Sequence, residues 1–129
     1  MQNAAQAYAR THQQTTSPRE LEATLLMRAA TRLSAIREDF EARRGELDDA
    51  LTYNRKLWTI FVSSVTADDC PLPKELRSNI ANLGMFIFAH SLRCIGLEDP
   101  AKLDVLVNIN REIAQGLRSM PVARAGQAA

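Results

Sequence analysis

The sequence predicts an all-α protein: an antiparallel helical bundle of four main helices, with a short N-terminal helical arm and a disordered C-terminal tail. Three observations carry this. Four stretches repeat apolar residues at alternating spacings of three and four, the period of an amphipathic helix. Serine, aspartate and proline stand where those stretches begin, and glycine stands after two of them. Apolar residues make up 46% of the chain and aromatic ones only 5%, which suits a core of Leu, Ile, Val and Ala. At 129 residues the chain is one domain, long enough to bury a core without disulfide or metal staples.

Residues 1–16 read as an arm and connector, 17–118 as the bundle, and 119–129 as the tail. In the arm, Ala4 to Arg10 suits a short helix anchored by Tyr8, too short to hold without a docking surface. Ser17-Pro18-Arg19-Glu20 opens the first long helix: Ser17 can accept from free amides, Pro18 suits the first turn, and Glu20 completes a capping box. Its seam is Leu26, Ala29, Leu33, Ile36 and Phe40, and Arg43-Arg44-Gly45 reads as its end. The second helix spans about 46–66, with the seam Leu47, Leu51, Asn54, Trp58, Phe61 and Val65. Pro73 starts a third helix that reaches about Gly96, with the seam Leu76, Ile80, Leu83, Ile87, His90 and Cys94. Met85, Phe86 and Phe88 make this helix apolar nearly all round, which fits either a central helix or a sticky groove. Asp99-Pro100 opens the fourth helix, whose seam is Leu103, Leu106, Val107, Asn110, Ile113 and Leu117. Short connections favour antiparallel neighbours.

Charge and cysteine content exclude several classes. The net charge of +1 gives no global attraction to nucleic acid or anionic lipid. Cys70 and Cys94 form no CxxC, and the two histidines, His12 and His90, are far apart, so no metal site is expected. Free thiols fit a reducing compartment. The start of the chain lacks the pattern of a secretory signal, and the longest apolar run, 83–89, is far short of a membrane span. The expected location is the cytoplasm. No phosphate loop, HExxH or nucleophile elbow occurs, so no enzyme and no cofactor are expected.

Three polar residues fall on apolar seams: Asn54, His90 and Asn110. One reading is a satisfied internal network that fixes helix register; the other puts Asn54 and Asn110 in a groove, bonding the backbone of a bound helix. Trp58 is either core or a partner-groove anchor. Arg55-Lys56 is either a solvated face or a contact for an acidic partner or RNA phosphate.

The motifs Tyr8-Ala9, Ser17-Pro18-Arg19-Glu20-Leu21-Glu22, Asn54-Arg55-Lys56-Leu57-Trp58-Thr59, Leu72-Pro73-Lys74-Glu75-Leu76-Arg77 and Ile109–Leu117, in this order, resemble the flagellar biosynthesis regulator FlaF family over most of the chain. The resemblance implies a non-enzymatic role in flagellin synthesis, secretion and filament assembly, opposite the regulator FlbT. It implies flagellin as partner, through the amphipathic terminal helices that flagellin must keep covered before assembly, and FlbT as a possible second partner. The candidate partner-binding residues are Tyr8, Asn54, Arg55, Trp58, Phe86, Phe88, Asn110 and Arg111. An RNA-linked regulator acting on flagellin message, directly or through FlbT, is the alternative. Direct RNA binding is disfavoured by the near-neutral charge and the lack of an aromatic-basic platform.

Overall fold

The computed structural model describes residues 17–96 and 98–120. The expected arm with Tyr8, and nearly all of the expected tail, lie outside the described residues. Four long helices account for most of the rest: α1 (Pro18–Glu38), α2 (Leu47–Thr66), α3 (Lys74–Cys94) and α4 (Asp104–Arg118). No strand is present among the described residues.

Ser17 caps α1, its hydroxyl accepting from the Glu20 amide at 3.0 Å. The reciprocal half of the expected capping box is replaced. The Glu20 carboxylate instead accepts from Arg118 Nε at 3.1 Å and ties the start of α1 to the end of α4. At the other end of the same pair, Arg37 donates to Asp104 with two nitrogens, at 2.8 and 3.3 Å. The two contacts fix α1 and α4 as antiparallel.

α1 stops earlier than its seam suggests. Asp39 leaves helical geometry (φ −132°, ψ 53°), and a one-turn helix Phe40–Arg43 and a 3-10 turn Arg44–Glu46 follow. An aspartate side chain competes for nearby backbone groups, which favours such a break. Phe40 is still buried, so the seam is completed after the kink.

In α2 every expected seam residue is buried: Leu47, Leu51, Asn54, Trp58, Phe61 and Val65. In α3 the face is rotated relative to the expectation. The buried residues are Ile80, Gly84, Ile87, Ser91 and Cys94, whereas Leu83 and His90 are half-buried. Gly84 is the reason. A Cβ there would lie 2.3 Å from Val62 Cγ2, so only a bare backbone lets α3 come this close to α2. The helices run antiparallel, since Arg77 Nη1 also donates to the Ala67 carbonyl at the end of α2, at 3.4 Å. Asp99 caps the next turn through the Ala101 amide, but Pro100–Leu103 is a 3-10 turn and the α-helix begins only at Asp104. In α4, Ala114 is buried where Ile113 was expected, and Ile113 is half-buried.

The packing order follows from these contacts. α1 lies between α4 and α2, and α2 carries α3 on its other side. Leu26, Leu33, Ile36, Leu51, Trp58, Ile80, Ile87, Leu103 and Leu106 form the centre of a single core. α3 therefore has the fewest close helical neighbours, and its outer face is left apolar. Met85, Phe86 and Leu92 are exposed there, and Ile95 is exposed just past the end of the helix.

Candidate functional site

Two features stand out: a polar cluster inside the core, and the uncovered face of α3.

The cluster joins three helices. Trp58 on α2 donates its indole N–H to Asn110 Oδ1 on α4 at 2.9 Å. Asn110 Nδ2 donates to Asn54 Oδ1 at 2.7 Å and, more weakly, to the Leu26 carbonyl of α1 at 3.4 Å. All three side chains are 0% exposed. One turn separates Asn54 from Trp58, so both reach the same residue of α4. Asn54 Nδ2 has no partner. Burying an unpaired amide donor costs roughly 1–3 kcal/mol. What the cluster supplies in return is directional: one indole and two amides meet only at one register of α1, α2 and α4.

This placement separates the candidate residues. Asn54, Trp58 and Asn110 come together, but in a closed interior with no atoms offered to a partner. His90, expected beside the asparagines, lies elsewhere. Its Nε2 is 2.8 Å from the Lys102 carbonyl. A carbonyl only accepts, so Nε2 carries the proton and donates. The His90 ring also stacks on Phe86, centroids 5.4 Å apart and planes at 12°. His90 thus props Phe86, the exposed aromatic of α3, and ties the helix to the 3-10 turn that leads into α4. The rotation of α3 about Gly84 carries it off the core seam.

Phe86 is on the open surface and Phe88 is half-buried against the core. Arg55 is half-buried and Arg111 exposed. Arg111 lines a shallow cleft of about 380 Å³ with Met27, Gln115, Arg118 and Ser119. A second cleft of about 310 Å³ lies where α2 ends and α3 begins, walled by Val65, Ala81, Lys74, Arg77 and Ser78. The exposed positions are thus Phe86 and Arg111, on different helices, and the structure does not bring them into one site with the asparagines.

The sequence reading passed over Leu92. It is 63% exposed, and with Met85, 58% exposed, it dominates the outer face of α3. The signal was present: Ala81, Met85, Phe88 and Leu92 follow a 4-3-4 spacing. It is offset by one residue from the buried set Ile80, Gly84, Ile87, Ser91 and Cys94, so α3 carries two adjacent seams. The outer seam is apolar through Met85 and Leu92, and no helix of the described residues covers those two side chains.

Among the described residues, no group of three or more His, Cys, Asp or Glu side chains is placed to hold a metal ion. No helix among them is long and apolar enough to cross a membrane. Burial raises the Cys94 thiol above its ordinary pKa, only partly opposed by Lys102, which keeps it protonated.

Comparison with known families identifies one match. The family described as flagellar protein FlaF matches residues 4–117, nearly the whole chain. No curated protein and no solved structure matches it.

Proposed function

The chain belongs to the FlaF family of flagellar proteins, and from that premise we propose that it is a non-catalytic binding protein for flagellin. It acts in the flagellar system; flagellin binding and a chaperone role in synthesis, export and filament assembly are our reading. The observation that carries it is the outer face of α3, where Met85, Phe86 and Leu92 stand exposed on a helix whose other face is buried. Exposed apolar patches of this kind mark interaction sites. An amphipathic helix laid along the seam buries its own apolar stripe against these side chains. Flagellin's terminal helices have that character and must stay covered in the cytoplasm before assembly. Trp58, Asn54 and Asn110 serve this function indirectly, by fixing the helices that support α3's platform.

The test is titration calorimetry of the full chain with monomeric flagellin, and with flagellin lacking its terminal helices. The reading expects binding near or below micromolar that is lost on truncation and weakened by Phe86→Ala or Leu92→Ala. A complex of equal affinity with all of these proteins would overturn it. Absence of binding to either flagellin would move the weight to FlbT as the partner.

A further inference from the structure

We propose that the outer face where α1 meets α2 is a second docking surface, and that it takes a short acidic amphipathic helix of a partner protein. It is a different surface from the outer face of α3, and it does not depend on the flagellin reading.

Two contacts fix how the helices lie. The Arg32 guanidinium stands over the Tyr53 ring, 5.5 Å from its centroid. Six residues earlier on α1, the Leu26 carbonyl meets the same Asn110 that accepts from Trp58, five residues further along α2. α2 therefore runs back along α1. Helical spacing then places Leu21, Leu25, Arg28 and Arg32 on one edge of the shared face, opposite Tyr53, Leu57 and Ile60, with Lys56 one turn before Ile60. Leu25 and Leu57 are half-buried and form the floor. Leu21 and Ile60 stand above them, 52% and 69% exposed. Ile60 is the most exposed of the large apolar side chains described.

The charge on this face has one sign. α1 contains no acid from 23 to 37, and α2 none from 50 to 66. Arg28, Arg32 and Lys56 take part in no ion pair among the described residues. Of the other cations in those stretches, Arg37 is held by Asp104, and Arg55 lies on the stripe of Val62, which faces α3. Acids bound the band at both ends. At the foot are Asp39, Asp49 and Glu46, the last paired with Arg43. At the head, Glu22 is paired with Arg19 on the inner side of α1. Asp68 and Asp69 lie beyond, in the turn after α2, with Asp68 in the cleft of Lys74 and Arg77. What remains is a positive, apolar band from Leu21 to Arg32, about 17 Å or three helical turns long.

Charge also sorts the occupants. A second copy would bring the same three cations against them. Residues 1–16 and 121–129 contain no aspartate or glutamate and carry Arg10 and Arg124, so neither end of the chain complements the band. An anionic bilayer has the right charge, but it takes up apolar side chains that protrude from one helix, and here Leu25 and Leu57 are half-buried between two. An acidic amphipathic helix meets both requirements. Its apolar stripe covers Leu21, Leu25, Leu57 and Ile60, and its carboxylates reach Arg28, Arg32 and Lys56. Arginine favours such contacts because its fork grips a carboxylate with two N–H groups, and stacking on Tyr53 holds Arg32 in place for it. The bounding acids select a segment whose own acids are central.

The experiment is fluorescence anisotropy of the full chain against a labelled helical peptide of leucine, alanine and glutamate, about four turns long with its glutamates central. Counterparts carry glutamine or lysine in place of glutamate. We expect saturable binding of the acidic peptide below about 100 µM, about tenfold weaker for the glutamine peptide and weaker still for the lysine peptide. Binding should also weaken between about 50 and about 300 mM salt. The double variant Arg28→Gln/Lys56→Gln, both exposed residues, should lose about three- to tenfold, and Ile60→Ser should also weaken binding. Leu92→Ala, on the outer face of α3, should leave it unchanged. Circular dichroism checks that each variant is folded. No binding of the acidic peptide overturns the proposal, as do equal affinities for the acidic and glutamine peptides. An effect of Leu92→Ala without one of Arg28→Gln/Lys56→Gln overturns it too, by placing the peptide on α3. Displacement of the peptide by vesicles of phosphatidylcholine and phosphatidylglycerol would assign the face to a membrane instead. Flagellin binding that depends on Leu92 neither requires nor removes this site, so the two readings fail separately.

Discussion

Gly84 offers a test in which the sign of an effect depends on one methyl group. Alanine exceeds glycine in helix interiors by roughly 0.8–1 kcal/mol, so Gly84→Ala in an open helix would stabilise. Here the new Cβ arrives 2.3 Å from Val62 Cγ2, a distance that forces movement. Val62 is β-branched and held in one χ1 well, and cannot swing away freely. Overpacking of this kind costs about 1–3 kcal/mol, so the net effect is a loss of about 0–2 kcal/mol. Removing the obstacle reverses the sign. In a Val62→Ala background, the remaining neighbours are Trp58 Cε3 at 3.6 Å and the residue 62 Cβ at 3.8 Å, both ordinary contacts. There, Gly84→Ala should recover the propensity gain of about 0.8–1 kcal/mol. The double-mutant cycle, read by urea unfolding followed by circular dichroism, should therefore give a coupling energy of about 1–3 kcal/mol. A stabilising Gly84→Ala in the wild-type background would refute the reasoning. So would an equal effect in both backgrounds, since α3 would then not be seated on Val62 through a bare backbone.

The two buried asparagines should behave unequally. Asn110→Leu strands the Trp58 indole N–H and Asn54 Oδ1 together, and two orphaned groups predict a loss of about 2–5 kcal/mol in urea unfolding. Asn54→Leu removes an amide whose Nδ2 is already unpaired and leaves Asn110 its bonds to Trp58 and Leu26, so its effect should stay within about 1 kcal/mol. Equal losses would show that the cluster is not centred on Asn110. Glu22 supplies a pH signature. Burial raises its folded pKa above the ordinary value, with the Arg19 guanidinium opposing through charge and hydrogen bonding. For a carboxyl raised on folding, the folded state binds the proton more tightly than the unfolded one, so stability is lost as pH rises through the carboxylate range. Glu22→Gln should raise the melting temperature at pH 7 relative to wild type, with the gain shrinking as pH falls below the ordinary carboxylate value. A gain that grows on acidification would contradict this sign.

How much of this fold was legible depended on what each residue could signal. The α2 seam was readable to the residue because every inward position is large or chemically distinctive, from Leu47 to Val65. The pairing of Asn54 with Asn110 was readable as one option because two amides on apolar seams need partners, though nothing in spacing alone said that Trp58 would join them. The third helix misled for a physical reason. Its true inward positions include Gly84 and Ser91, small residues that pack because they are small, and periodicity of hydrophobicity is blind to them. Leu83 and His90, one position earlier, look more like core and are not fully buried. The boundary at Asp39 was similarly hidden, since Phe40 keeps the apolar register across a break in the backbone. Most of what escaped the sequence concerns α3, and so does the candidate binding face. A helix apolar nearly all round contains more apolar surface than one neighbour can cover, and only the identity of its neighbours decides which part is left over. α1 and α4 are committed to each other along their length, from Glu20–Arg118 to Arg37–Asp104. α2 can seat α3 only where Gly84 permits close approach. What remains uncovered is the seam through Met85 and Leu92. A charge placed on that seam, as in Leu92→Glu, should therefore block a partner helix at this face.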